Sequence, residues 1–245
     1  MHINLETQVI GVAAKPEKQS EFKEITYKPA HWNLLKEYRE KAAKMLTALE
    51  RSHIRPIIHG SIARGDVTPK SDIDIFIPEP PSSFLLETAL EKAGLTFNSR
   101  YVVQATPNYA MKAHIEIDEK TTVTFPLMCM RKVEREFYKF GCEMCLNDLQ
   151  QNLRVVGVDK RLMLIEPSAE GHLESSILGR EDQTAKVLQV SVETVLDRVR
   201  ALRKRDEVGR TGVFIKKELT LDETFELVLK KIADVNPAVR RRIGE

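Results

Sequence analysis

Two short β-branched runs, at residues 54–58 and 73–77, lie on either side of Gly60-Ser61 and a polar loop, and their spacing constrains the fold more than any other stretch of the chain. β-Branched residues favour strands, and Gly60 and Pro78 stop the two runs. On a strand alternate side chains share a face, so Asp72 and Asp74 project together from one side. Ile73, Ile75 and Phe76 are read as burying the other.

Two aspartates on one strand face repel each other at neutral pH. A hard divalent cation is the usual physical reason to keep both ionised, and Mg²⁺ with carboxylates and substrate phosphates is the standard match. Upstream, Gly60-Ser61 sits where a strand turns into a helix. Free N–H groups, a hydroxyl and the missing β-carbon of Gly60 suit a phosphate there. An isolated Asp-x-Asp is common and mostly marks a solvated edge or a turn. The succession of strand, Gly-Ser, polar loop and Asp-x-Asp is more specific than its parts.

These residues resemble the signature of the nucleotidyltransferase superfamily of DNA polymerase beta: an apolar strand, Gly-Ser, a short polar loop, then Asp-x-Asp on the next strand. Gly60-Ser61, residues 62–71 and Asp72-Ile73-Asp74 fit it position by position. Ala63-Arg64-Gly65 and Ser71 resemble the versions in minimal nucleotidyltransferases and archaeal tRNA CCA-adding enzymes. The resemblance covers residues 55–128. It implies an α/β (α+β) domain with a mixed sheet and helices behind it, and Mg²⁺, or Mn²⁺, held by Asp72 and Asp74. It also implies a nucleoside triphosphate (NTP) whose phosphates meet Gly60, Ser61 and Arg64, and transfer of a nucleoside monophosphate to an acceptor hydroxyl. In that chemistry metal ions and positioned carboxylates carry most of the charge stabilisation. Arg64 reads equally well as a loop arginine paired with Asp66.

The family supplies a third carboxylate from a later strand, and the matching position here is Thr124, within Val123-Thr124-Phe125-Pro126. Threonine carries no charge. Glu116 and Asp118 share one face of the preceding strand, and Glu116, within the strand rather than at its turn, is the candidate catalytic replacement. The same alternation with Ile115 and Ile117 describes a solvent-facing hairpin.

Residues 180–245 read as a second unit. Ala185 and Leu188 make a short apolar face, Val190-Ser191 a turn with Ser191 as N-cap, and Val195, Val199 and Leu202 a second face at helical spacing. This resembles the helix-turn-helix of bacterial and archaeal regulators, whose second helix enters the major groove. The β-prone residues 213–215 after Gly209 and Gly212 suggest a wing. From residue 180 to 217 there are ten basic and six acidic residues, a local charge of +4 in a chain of net +2. Arg198, Arg200, Arg203, Lys204 and Arg210 are therefore the candidate nucleic-acid contacts. A helical pair used for packing or dimerisation is the structural alternative. Arg240-Arg241-Arg242 reads as a solvated tail.

The expected organisation is a nucleotidyltransferase domain over residues 1–165, a linker over 166–179, where Glu166-Pro167 ends an apolar run, and the mostly helical winged unit over 180–245. Helices are expected from Trp32 to about Ser52, after Pro80-Pro81 with Ser82 or Ser83 as cap, and from 131 to 140. Strands are expected at 112–118 and 121–127, with residues 1–30 as strands and loops. No stretch has the length of uninterrupted apolar residues that a membrane helix needs, and Met1 to Lys15 lacks a signal-peptide pattern, so a cytoplasmic protein is expected. Three cysteines make no disulfide framework, and Cys129, Cys142 and Cys145 lack the fourth thiolate of a structural zinc site; the Cys142-x-x-Cys145 pair reads as small apolar residues, with metal binding the alternative if a histidine joins it. A regulator that binds nucleotide but transfers it poorly is the competing reading, with Thr124 in its favour. Transfer to a small molecule or a protein hydroxyl is a third, and a homo-oligomer stays open.

Overall fold

Apolar residues at three- and four-residue steps between Trp32 and Leu49 form the long helix on which the sheet is laid. The computed structural model describes residues 22–209 and 212–244; the segment before residue 22 and Arg210 lie outside the described residues. The first half runs β1 (Lys23–Thr26), α1 (Pro29–Glu50), β2 (Ile57–His59), α2 (Ser61–Arg64), β3 (Ile73–Phe76), α3 (Ser83–Lys92), β4 (Ser99–Gln104), β5 (Lys112–Asp118) and β6 (Thr121–Pro126). The second half runs α4 (Lys132–Phe140), β7 (Glu143–Met144), α5 (Leu146–Gln150), β8 (Gly157–Val158), β9 (Met163–Ser168), β10 (Gly171–Ser176), α6 (Glu181–Leu188), α7 (Val192–Val208), β11 (Ile215–Glu218), α8 (Phe225–Val235) and α9 (Pro237–Ile243).

The strands form two sheets, one of seven strands in the order β11-β4-β5-β6-β3-β2-β7 and one of four in the order β1-β10-β9-β8. β3 pairs with β6 in parallel, and every other described ladder is antiparallel, so the large sheet is mixed as expected. One face of it, with Ile73, Ile75, Ala113, Ile115, Val123 and Phe125, joins Leu46 and Leu49 of α1, Leu86 and Leu90 of α3 and Phe225 and Val228 of α8 in one core. The other face carries Asp74 and Phe76. Phe76 therefore shares the aspartate side rather than the buried side with Ile73 and Ile75; its burial comes from α4, whose Tyr138 ring stacks on it at 3.6 Å.

Residues 166–179 are not a linker. Pro167 lies inside β9, where the neighbouring β8 reaches only Leu164 and Ile165, so its missing N–H breaks no ladder. Gly171 opens β10 and lets β1 approach, since a β-carbon there would stand 1.8 Å from the Ile25 carbonyl oxygen.

Residues after 180 divide between two places. α6 and α7 pack through Ala185, Leu188, Val195, Val199 and Leu202 onto Phe140, Val158, Leu162 and Ile177. The β-prone segment that suggested a wing leads at Ile215 into β11, which extends the large sheet beside β4, Ile215 opposite Gln104. α8 seats Phe225 edge-on to Phe125 and sends Glu226 to the start of α3, where it accepts from the Ser83 N–H at 2.9 Å and hydroxyl at 2.7 Å. Neither Ser82 nor Ser83 caps α3 through its own side chain; Glu226 does this work. The basic tail is partly interior: Arg242 is buried and pairs with Glu134 at 3.2 Å. β4 was not anticipated from the sequence.

Candidate active site

The Gly60–Gly65 turn is held from below by α1. Gly60 and Gly65 both take positive φ, 81° and 101°, which glycine alone adopts without strain. Arg39 donates to the Ile62 carbonyl at 3.1 and 3.0 Å and to the Ala63 carbonyl at 3.3 Å. His31 Nε2 donates to the Gly65 carbonyl at 2.7 Å. The loop that follows closes back onto the turn: Ser61 Oγ donates to Ser71 Oγ at 3.1 Å, which also accepts from the Thr68 N–H at 2.9 Å. Ser61 and Asp72 are thereby brought to one place.

Beside them lies a cleft of about 490 Å³. Its first wall is His59-Gly60-Ser61 with Ser71, Asp72 and Asp74; its second is Phe137 and Phe140 of α4 with Arg198, Leu202 and Arg205 of α7. Asp159, Lys160 and Arg161, in the turn between β8 and β9, join the two. Loss of water raises both carboxyls above their usual range, and Asp74 raises Asp72 further, while the Lys160 charge pulls both back. Two hard oxygen donors, repelling each other and open to the cleft, are a donor set that a divalent cation fits.

The other sequence-predicted residues fare differently. Arg64 lines the cleft, but its guanidinium is committed: two bonds of 3.0 Å to the Asp66 carboxylate, one of 2.7 Å to the Gly141 carbonyl and one of 3.3 Å to that of Val158. It ties α2 to the start of β7 and to β8. On β6 the residue opposite Asp74 is Thr122, and Thr124 stands opposite Phe76, 3.1 Å from His114 Nδ1. Glu116 faces Thr122 from the far side, two strands from Asp74, which at about 4.8 Å per strand separates their backbones by about 10 Å. The Ser99 hydroxyl donates to it at 2.6 Å, and this bond, with one from Tyr101, holds it below the usual carboxylate range. It does not line the cleft.

On α7, Arg198 turns into the cleft, whereas Arg200, Arg203 and Lys204 are exposed on the other side of the helix. The first turns of α7 present Val192, Glu193 and Leu196 to solvent, and its cations begin only at Arg198. Duplex-reading helices meet bases mainly through their N-terminal residues.

Sequence reasoning missed His59, Lys160, Phe137 and Arg205. The ladder puts Ile58 opposite Ile75, so His59 follows on beside Asp74; burial, then the Lys112 and Arg64 charges, push its ring down to about 3 and keep it neutral. Its place at the end of a strand before Gly-Ser was a usable signal. Lys160 sits in a turn with no motif of its own. Cys142 is buried, with its thiol pushed up to about 12 by burial, and Cys145 donates to Asp148 at the start of α5, so neither is poised for metal. Among the described residues no three His, Cys, Asp or Glu side chains gather around one point as metal ligands do. No helix among them is long and apolar enough to cross a membrane.

Residues 35–135 match the family model of the nucleotidyltransferase domain. That span holds Gly60, Ser61, Asp72 and Asp74 and ends before Lys160 and α7. No curated protein and no solved structure is matched by the chain.

Proposed function

We propose that this chain, which carries a nucleotidyltransferase domain at residues 35–135, transfers a nucleoside monophosphate from an NTP to an acceptor hydroxyl, with Asp72 and Asp74 holding Mg²⁺. The observation that carries this reading is the cleft itself, where an aspartate pair on one strand face meets the Gly60-Ser61 turn and a set of cations. A bound divalent ion supplies Lewis-acid charge to the phosphates and to the attacking oxygen. The chain's own residues do the placing. Gly60, with nothing within 4 Å of the position a β-carbon would take, leaves room for a phosphate against the backbone. Ser61 and Ser71 hold the loop that carries Asp72. Lys160 offsets the charge of the aspartates, and neutral His59 adds no competing cation beside Asp74. The exposed Arg200, Arg203 and Lys204 support contact of a polyanionic acceptor, DNA or RNA, with the outer side of α7.

A second reading, a regulator that binds nucleotide and transfers it poorly, draws on Thr122 and Thr124 and on the distance of Glu116 from Asp74. One experiment addresses both. Binding of each NTP is measured with and without Mg²⁺ for the natural protein and for Asp72→Asn with Asp74→Asn, and labelled nucleotide is followed into RNA, protein and small-molecule acceptors. Metal-dependent binding lost in the double variant, with transfer reduced by about two orders of magnitude or more, is expected for a transferase. Binding without transfer supports the regulator, and no NTP binding sinks both.

A further inference from the structure

The helix expected to read a duplex contributes instead to the wall of the cleft, and it is fixed there firmly. Glu136 of α4 accepts from the Ser191 N–H at 2.9 Å, from its hydroxyl at 2.5 Å and from the Thr194 hydroxyl at 2.6 Å, all at the start of α7. One turn further on, the Tyr109 hydroxyl donates to Asp197 at 2.8 Å. Val195, Val199 and Leu202 are buried against Phe140 and its neighbours. A side chain on α7 is therefore held as rigidly as one on the domain itself.

Arg198 is the side chain so held. Its guanidinium lies over the Phe137 ring, 4.7 Å from the centroid, and Lys112 approaches the same ring at 5.9 Å. Buried Nε of Arg198 finds no hydrogen-bond partner, and no salt bridge reaches the group among the described residues. The neighbouring acid, Asp197, is engaged by Tyr109. Two other arginines of the cleft are already neutralised: Arg64 by Asp66, and Arg161 by Asp159 and Glu174 at 2.7 Å each. The Asp197 charge attracts Arg198 but makes no direct ion pair with it, and a largely desolvated cation without a contacting anion is costly, a cost that an anion entering the cleft reduces. Arg205, two turns along the same stripe and exposed, adds a second cation to this wall.

We infer that Arg198 and Arg205 bind the phosphate chain of the triphosphate on the wall opposite Asp72 and Asp74, so that α7 is part of the nucleotide site. The inference rests on the transferase reading and adds to it the element, outside residues 35–135, that distinguishes a triphosphate from a monophosphate. Arg198 is placed to bind substrate, with planar donors that match phosphate oxygens.

The test is calorimetric binding, with Mg²⁺ present, of inorganic tripolyphosphate and of each NTP and the matching nucleoside monophosphate. It uses the full chain and the variants Arg198→Met, Arg198→Lys and Arg205→Ala. Loss of a charge-assisted contact is expected to weaken tripolyphosphate and NTP by about tenfold in Arg198→Met, and less in Arg205→Ala. Monophosphate affinity should change by less than about twofold, and Arg198→Lys should recover part of the loss. Unchanged triphosphate-to-monophosphate preference in a folded Arg198→Met protein overturns the inference. If that variant fails to fold, the exposed Arg205→Ala decides in the same way, an unchanged preference again overturning it. A natural protein that binds neither NTP nor tripolyphosphate overturns the transferase reading itself, which is a distinct result.

Discussion

At the scale of single residues, the same physics runs through the cleft and the sheet above it: polar groups are kept in a half-dry setting and their charge states follow. Beside Thr124, His114 is stacked on Tyr101 with ring centroids 4.9 Å apart, and burial, then the Lys112 charge, push it from 6.5 down to about 4. A base whose folded value is depressed binds its proton only after unfolding, so in that window the unfolded chain holds more protons than the folded one. Stability is then complete above pH 6.5 and is lost as the pH falls toward 4. His59 acts in the same direction. His114→Gln is expected to flatten this acid-side slope, measured as urea midpoints at several pH values; an unaltered slope would show that His114 is not a source of it.

At the scale of elements, glycine and glutamate decide contacts that hydrophobic pattern leaves open. β1 lies against β10 only because Gly171 has no side chain, with the Ile25 carbonyl oxygen 1.8 Å from the position of a β-carbon. Gly171→Ala is expected to push β1 off the small sheet and to cost about 1–3 kcal/mol, as overpacking usually does. Denaturant titration together with faster proteolysis near Lys23 checks it, and wild-type values in both would contradict the close approach. Glu226 and Glu136 do comparable work for helices, one closing the start of α3 and the other the start of α7, each from an element distant in sequence.

At the scale of the molecule, the chain after residue 180 belongs to the fold of what precedes it. β11 covers the edge of β4, Phe225 fills the large core, and Arg242 pairs with buried Glu134. Removing one partner of a buried pair costs about 3–5 kcal/mol, a large part of the stability of a typical domain. A chain ending at residue 179 is therefore expected to be insoluble or to lack a cooperative melt. The full chain is expected to melt in one transition, seen alike by Trp32 fluorescence and far-ultraviolet circular dichroism. A soluble, cooperatively folding fragment would instead support two independent units.

What is local in this protein was readable from its residues. The Gly60-Ser61 turn, the Asp72 and Asp74 pair and the α1 stripe each depend on neighbours within a few positions, where φ preference, the strand period of two and the helix period of 3.6 apply directly. β4 escaped because its inward Arg100 and Gln104 are polar groups satisfied by Glu87 and by the Thr220, Pro107 and Tyr109 carbonyls, which no pattern reveals. The periodicity of α7 told which residues share a face, but not what that face meets. Only the folded chain decides that Arg64 is also spent on the Gly141 and Val158 carbonyls, that Glu116 stands two strands from Asp74, and that Arg198 looks into the cleft, because each depends on contacts between segments far apart in sequence.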